Sequence, residues 1–271
     1  MRTVDAIILA RGGSKRIPRK NLTDICGLPL VAWSVIQAVN SRHITRVWCS
    51  TDDDEIADVA EKYGATIIRR PTWACDNAWA AGVPTSHALH YISTLGINLD
   101  LCMSVLPTSP LRMPSDFDRT IEAYCNAPEV EQPNWKAARP MARPHDIMLY
   151  KDNGDLGSDA IWSTKTDDIL LLGGGYSLLR FDDYLINERK QAERLGTRFS
   201  RDEDLDAAWM SGGKIESPAG AREVGVLAEV DPWQVFELDV PSQIPQLQDV
   251  MQHMIVARGG VKLYEDYKGK A

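Results

Sequence analysis

Residues 4 to 21 read VDAIILARGGSKRIPRKN, and the change of character half way along this stretch decides the fold. Val4 to Ala10 is a strand-length apolar run interrupted only by Asp5. Leu9 to Asn21 then carries Arg11, Lys15, Arg16, Arg19 and Lys20, five cations with no acid, around the adjacent glycines Gly12 and Gly13. A first strand running into a glycine turn is the opening of an open α/β sheet, where ligands bind beyond the carboxyl ends of the strands. The following segments keep the alternation. Leu30 to Val39 reads as a helix, Val47 to Ser50 as a strand that stops at Thr51-Asp52-Asp53, and Glu55 to Tyr63 as a helix closed by Gly64. Thr66 to Arg69 is a third strand, followed by a helix from about Thr85 to Leu95 and a long apolar strand from Leu99 to Leu106. Ser115 to Cys125 is the next helix, with Ser115 as its cap and Asp118 at the third position. Four strand-loop-helix units in succession predict an α/β, doubly wound, mostly parallel sheet with flanking helices.

From about Ala127 to Arg201 the alternation breaks down into proline-rich sequence (Pro128, Pro133, Pro140, Pro144) and an Asn153-Gly154 turn. This stretch, which carries Trp135 and Trp162, reads as an insertion that covers the site or pairs with a second subunit. Strands return near Val224 to Val230 and Gln234 to Leu238, and a helix from Pro241 to Val256 closes the chain. One domain over residues 1 to 271 is the expected organisation, since a chain of this length fills a single α/β core with elaborations.

Composition narrows the partners. A net charge of −8 disfavours nucleic acid or an anionic membrane surface as the main partner. Five scattered cysteines, with no Cys-x-x-Cys pair, suggest reduced thiols and neither a disulfide framework nor a zinc site. The N-terminal apolar run is too short for a membrane span, and a cytoplasmic protein is expected.

In an acidic chain, five cations in one loop call for a polyanion. Gly12 and Gly13 let backbone N–H groups approach phosphate oxygens, and the cations neutralise charge that grows on a phosphate leaving group. The dinucleotide fingerprint G-x-G-x-x-G is absent, and so is the P-loop pattern. Beyond the third strand, Arg70-Pro71 sits at the carboxyl edge, and Arg70 is either within reach of a pyrimidine's acceptor oxygen or a plain surface charge. Glu237 and Asp239, two apart on the expected strand end, share a face and are able to share a divalent ion such as Mg2+, the alternative for Asp239 being a cap on the helix that begins near Pro241. His87 and His90 share a helix face, but no third ligand accompanies them and the chemistry wants a hard cation. Trp73 and Trp79, flanking Asp76, suit either base stacking or packing.

The segments LARGGSKRIPRKN (Leu9 to Asn21), STDDDEIADVAEKYGA (Ser50 to Ala65) and LPTSPLR (Leu106 to Arg112) follow one another in an order that resembles the acylneuraminate cytidylyltransferases, or CMP-sialic acid synthetases. The likeness is good over Val4 to Tyr124, faint through the insertion, and returns at FELDVPSQI (Phe236 to Ile244). The resemblance implies a nucleotide-diphospho-sugar transferase-like fold and transfer of CMP from CTP to an acidic sugar, a sialic acid-like nonulosonic or other 3-deoxy-ulosonic acid. It also implies Mg2+ and a homodimer. Arg11, Lys15 and Lys20 match phosphate-contacting cations, with Gly12 and Gly13 between them, and Asn21 matches a residue near the nucleotide. Arg70 and Asp76 fall among the base and ribose contacts, and Asp239 with Glu237 matches the metal-binding Asp-x-Asp. Arg11, Lys20 and Asp239 are the catalytic candidates.

The departures concern mostly the sugar. Glu237 stands where the family usually has aspartate. Leu106 replaces a glutamine near the acceptor, and Ala80 replaces a serine near the base. Arg139 and Arg143 lie in a stretch faintly similar to one that approaches the sugar and suit a carboxylate through paired guanidinium hydrogen bonds. Transfer of another nucleotide, a non-sugar acceptor, and a silent nucleotide-binding homologue stay open as alternatives.

Overall fold

The computed structural model describes residues 2–71, 74–75, 82–129, 135–142, 171–172, 175–180 and 223–269. Strand β1 (Val4–Leu9) lies at the centre, with β4 (Arg46–Thr51) parallel on one side and β6 (Leu101–Val105) parallel on the other. Beyond β4 comes β5 (Thr66–Arg69), again parallel, while β2 (Asp24–Ile25) and β3 (Leu28–Pro29) pair antiparallel in a small sheet of their own. All six residues of β1 are buried, as the continuous apolar run requires of a strand covered on both faces. Asp5 is tolerated there because Arg46 Nε donates to it at 2.8 Å and Trp48 Nε1 at 2.7 Å, so the buried carboxylate is fully paired.

Alternation along β1 divides the core. Ala6 and Ile8 pack with helices α1 (Leu30–Val39), α2 (Asp54–Lys62) and α4 (Pro114–Asn126), while Ile7 and Leu9 pack with α3 (Gly82–Thr94) on the opposite face. Helices on both faces are the doubly wound arrangement read from the sequence. Helix α1 is apolar almost all round because Leu30, Trp33 and Ile36 turn outward against α5 (Gln243–Met254) and α6 (Val261–Gly269), which make a further layer.

Past β6 the order continues β9 (Tyr176–Arg180), β7 (Trp135–Ala142) and β10 (Glu223–Glu229), with short β8 (Leu171–Leu172) antiparallel to β7. Strand β9 is antiparallel to both neighbours, and β10 runs parallel to β7. The stretch expected to be an insertion therefore contributes β7 and β9 to the main sheet. The rest of that stretch, with Arg143 and Trp162, lies outside the described residues.

Three further expectations are corrected. Helix α4 begins at Pro114 with Met113 as its cap, and Asp116, not Asp118, accepts the Met113 N–H at 2.7 Å. Proline's fixed φ and missing N–H suit the first helical position, which moves the start ahead of Ser115. Asp118 is buried inside the helix and accepts the backbone N–H groups of Arg42 and His43. Second, Gln234 to Leu238 is not a strand: Pro232–Gln234 is a 3-10 turn, and Leu238 N–H donates at 2.7 Å to the carbonyl of Thr108, a loop residue. Third, the chain closes with two helices, α6 lying beyond the expected end. Among the described residues no helix is long and apolar enough to cross a membrane.

Candidate functional site

The carboxyl ends of β1, β5 and β6 open into a cavity of about 520 Å³. Its lining gathers Arg11, Lys15, Arg16, Lys20 and Asn21 from the loop after β1, Arg70 from the end of β5, Leu106 after β6, and Glu237 with Asp239 from the closing segment. These residues are up to 228 positions apart in the chain, counting from Arg11 to Asp239. The β-α connections bring them together at one sheet edge.

Each cation has a defined place. Arg11 spans the cleft to the carbonyl of Cys75 at 3.0 Å. Lys20 opens a 3-10 turn (Lys20–Leu22), and its Nζ donates to the Leu238 carbonyl at 2.8 Å and to Asp239 Oδ1 at 3.3 Å. Arg16 takes the other oxygen, Asp239 Oδ2, at 3.1 Å. Lys15 lines the cavity. Arg19, by contrast, turns away and pairs with Asp53 and Glu55. Asn21 is buried, and its side-chain amide donates to the Arg11 carbonyl at 2.8 Å, so it braces the loop as well as lining the cleft. Gly12 and Gly13 are not in the lining: the Gly12 N–H donates to Asp52 Oδ1 at 2.8 Å.

Arg70 is no surface charge. It is 7% exposed, with Nε donating to Ser50 Oγ at 3.0 Å and Nη2 to the Ser50 carbonyl at 2.6 Å. Burial lowers its pKa, an effect that the neighbouring Cys75 and Asp52 oppose. Cys75 is also in the lining, and burial pushes its thiol up to about 11, which leaves it protonated near neutral pH.

Thr108, also in the lining, binds the closing segment twice. Its carbonyl accepts Leu238 N–H, and its hydroxyl donates to Glu237 Oε1 at 3.0 Å. Leu238 is wholly buried in the C-terminal cluster, so Glu237 and Asp239 on either side of it face the cleft together although no strand is present. Nor does Asp239 cap helix α5. The reverse holds, because Gln243 Oε1 accepts the N–H groups of Asp239 (2.7 Å) and Val240 (2.9 Å). The Asp239 carboxylate is left for the cleft. Both Asp239 oxygens are paired with cations of the loop, and the two carboxylates are hard oxygen donors of the kind a magnesium ion would need.

Among the other expected residues, Leu106 stands on the cavity wall with its N–H held by the Gly175 carbonyl at 2.7 Å. Arg139 lies on β7 in register with Leu227 and does not line the cavity. Asp76, Ala80, Trp73, Trp79 and Arg143 lie outside the described residues. Sequence reading missed Ser14, Cys75, Pro84 and Thr108 in the lining. Of these Ser14 and Thr108 had a signal, their places inside LARGGSKRIPRKN and LPTSPLR. In the latter motif Arg112 is fully buried and does not line the cavity, donating to Ser34 Oγ at 2.6 Å and Gln37 Oε1 at 3.3 Å, so it ties the end of the loop to α1.

Comparison with known proteins agrees with the fold. The fold is shared with a CMP:2-keto-3-deoxy-manno-octonic acid synthetase complexed with CTP (TM-score 0.57, 17% identity, 93% of this chain and all of that one). A 4-diphosphocytidyl-2C-methyl-D-erythritol synthase from Anaerococcus prevotii is similar to the same degree (TM-score 0.56, 14% identity, 93% and 97% covered). At these identities the likeness is one of fold. Residues 6–131, the part of the chain that carries the three quoted motifs, match the family model described as Cytidylyltransferase.

Curated relatives point the same way. An N-acylneuraminate cytidylyltransferase of Oncorhynchus mykiss is 35% identical over 122 residues, 45% of this chain and 27% of the relative. A pseudaminic acid cytidylyltransferase of Campylobacter jejuni is 40% identical over 107 residues, 39% and 46% respectively. A CMP-N,N'-diacetyllegionaminic acid synthase of Legionella pneumophila is 34% identical over 128 residues, 44% and 52%. The chain thus spans about half of these relatives' length or less.

Proposed function

We propose that the protein is a cytidylyltransferase that joins CMP from CTP to an acidic sugar of the nonulosonic or 3-deoxy-ulosonic class and releases pyrophosphate. One observation carries this reading: a single cavity sets Arg11, Lys15 and Lys20 against the carboxylates of Glu237 and Asp239, with buried Arg70 at its edge. The sugar's anomeric hydroxyl attacks the α-phosphorus in line as the bond to the β-phosphate breaks. Arg11, Lys15 and Lys20 neutralise the charge that gathers on the leaving pyrophosphate. Arg70, donor-only and fixed by Ser50, offers hydrogen bonds to a pyrimidine's acceptor atoms. Glu237 and Asp239 would hold magnesium, which when bound supplies Lewis-acid polarisation of the phosphoryl group. Incubation with each nucleoside triphosphate, magnesium and a panel of ulosonic acids, read by pyrophosphate release, tests the assignment. CTP with an ulosonic acid is expected to give the strongest release; a different nucleotide, or none, would overturn it.

Acceptor choice turns on Leu106. A leucine on the wall cannot satisfy a sugar hydroxyl, and an unpaired polar group costs about 1 to 3 kcal/mol, or roughly one to two decades in kcat/KM. N-acetylneuraminic acid is therefore expected to be a poor acceptor, and a deoxy nonulosonic acid presenting an apolar face a better one. Leu106→Gln should shift the ratio of the two kcat/KM values toward N-acetylneuraminic acid; ordinary wild-type efficiency with that acid would refute the role given to Leu106.

A homodimer formed through residues 127 to 201 belongs to the same reading, supported by the family resemblance. Light scattering at micromolar concentration should give twice the chain mass of 30.2 kDa. A cytoplasmic location suits both CTP as substrate and five unpaired cysteines.

A further inference from the structure

The motif STDDDEIADVAEKYGA (Ser50 to Ala65) contributes no residue to the cavity lining, yet its first acids grip the cation loop at two points. At the loop's start, Asp52 Oδ1 accepts the N–H of Gly12 at 2.8 Å, next to Arg11. At its end, both terminal nitrogens of Arg19 reach the Asp53 carboxylate, at 2.6 and 3.3 Å, and Nη2 also meets Glu55 at 2.8 Å. Arg19 is held left-handed, φ 55° and ψ 33°, a conformation that a side-chain-bearing residue keeps only when its surroundings fix it. The next residue is Lys20.

The contact is close. A Cβ on Gly12 would lie 2.7 Å from Asp53 Oδ2 and 2.9 Å from Asp53 Cβ, so only glycine lets the loop rest there. Asp53 meanwhile caps α2, accepting the Ile56 N–H at 3.0 Å, and helix and loop are tied through one carboxylate that is mostly buried.

We propose that Asp52 and Asp53 are positioning residues for the triphosphate subsite, aligning Arg11, Lys15 and Lys20 on a nucleoside triphosphate without touching it themselves. The inference rests on the nucleotide reading above. Asp53→Asn separates this role from a purely structural one, because asparagine caps a helix as well as aspartate but cannot form the ion pair.

The test is equilibrium binding of CTP with magnesium, by calorimetry, to wild type, Asp53→Asn, Arg19→Ala and the double variant, beside thermal unfolding of each without nucleotide. Each single change is expected to weaken CTP about tenfold, as loss of one charge-assisted pair would, and the double change no further, since both remove one device. The melting temperature of Asp53→Asn should stay at the wild-type value. Arg19→Gly, which accepts the left-handed backbone, should bind CTP as weakly as Arg19→Ala, and this keeps the test open if alanine there unfolds the loop. Unchanged affinity, additive losses, or a fall in melting temperature that accounts for the loss would overturn the proposal. Wild-type protein that binds no CTP would overturn the nucleotide reading instead.

Discussion

Lys20→Ala is expected to lower kcat more than ~100-fold with the fold intact, because a preorganised charge on a transferring phosphoryl group is worth several kcal/mol. Its Nζ is positioned before substrate arrives, anchored on the Leu238 carbonyl and on Asp239, and its side chain is only 13% exposed. The cation is therefore partly desolvated and needs little reorganisation when charge moves to the leaving group. Because that charge grows along the reaction, kcat should fall more than KM rises. Lys20 contributes nothing to the apolar clusters, so the melting temperature should change little. Lys20→Arg keeps the charge but not the compact ammonium that fits between carbonyl and carboxylate, and should recover only part of the rate. Single-turnover pyrophosphate release beside thermal unfolding decides it; near-normal turnover would remove the loop from the mechanism.

Asp239→Asn is expected to cost turnover as much, ~100-fold or more, by a different route. In the structure Asp239 balances Lys20 on one oxygen and Arg16 on the other. Removing its charge weakens the carboxylate pair with Glu237 and releases both cations toward any polyanion. Turnover should therefore collapse and the magnesium requirement rise, while CTP measured without metal binds as well as or better than it does to wild type. That divergence distinguishes a metal-holding carboxylate from a merely structural one. Parallel loss of metal-free CTP binding would point to a misfolded cleft.

Much of this was legible in the chain. The apolar run of β1 followed at once by Arg11, Lys15 and Lys20 marked both the sheet class and the end of the sheet where the cation-lined cavity opens, because a buried strand must exit at an edge and clustered charge must stay near solvent. The pairing of Glu237 with Asp239 was also legible, although for a reason that proved incomplete. A strand would alternate them to one face, but what holds them is the burial of Leu238 between them and the two bonds from Thr108. No local pattern marks such an arrangement, since its partners lie 130 residues apart.

The sequence by itself determined a parallel core, its reactive edge and the chemical type of the groups there, since these follow from local periodicity and charge. Only tertiary structure decided which cations face the cleft. Lys15 and Lys20 line it while Arg19, from the same basic run, turns back to Asp53 and Glu55. Likewise only the fold placed β9 between β6 and β7, because antiparallel insertion into a sheet depends on which edge is free and not on the propensity of the inserted residues. Charge alone says that the loop is basic; the direction in which each side chain leaves the backbone, set by neighbours distant in sequence, says which residue faces the cavity.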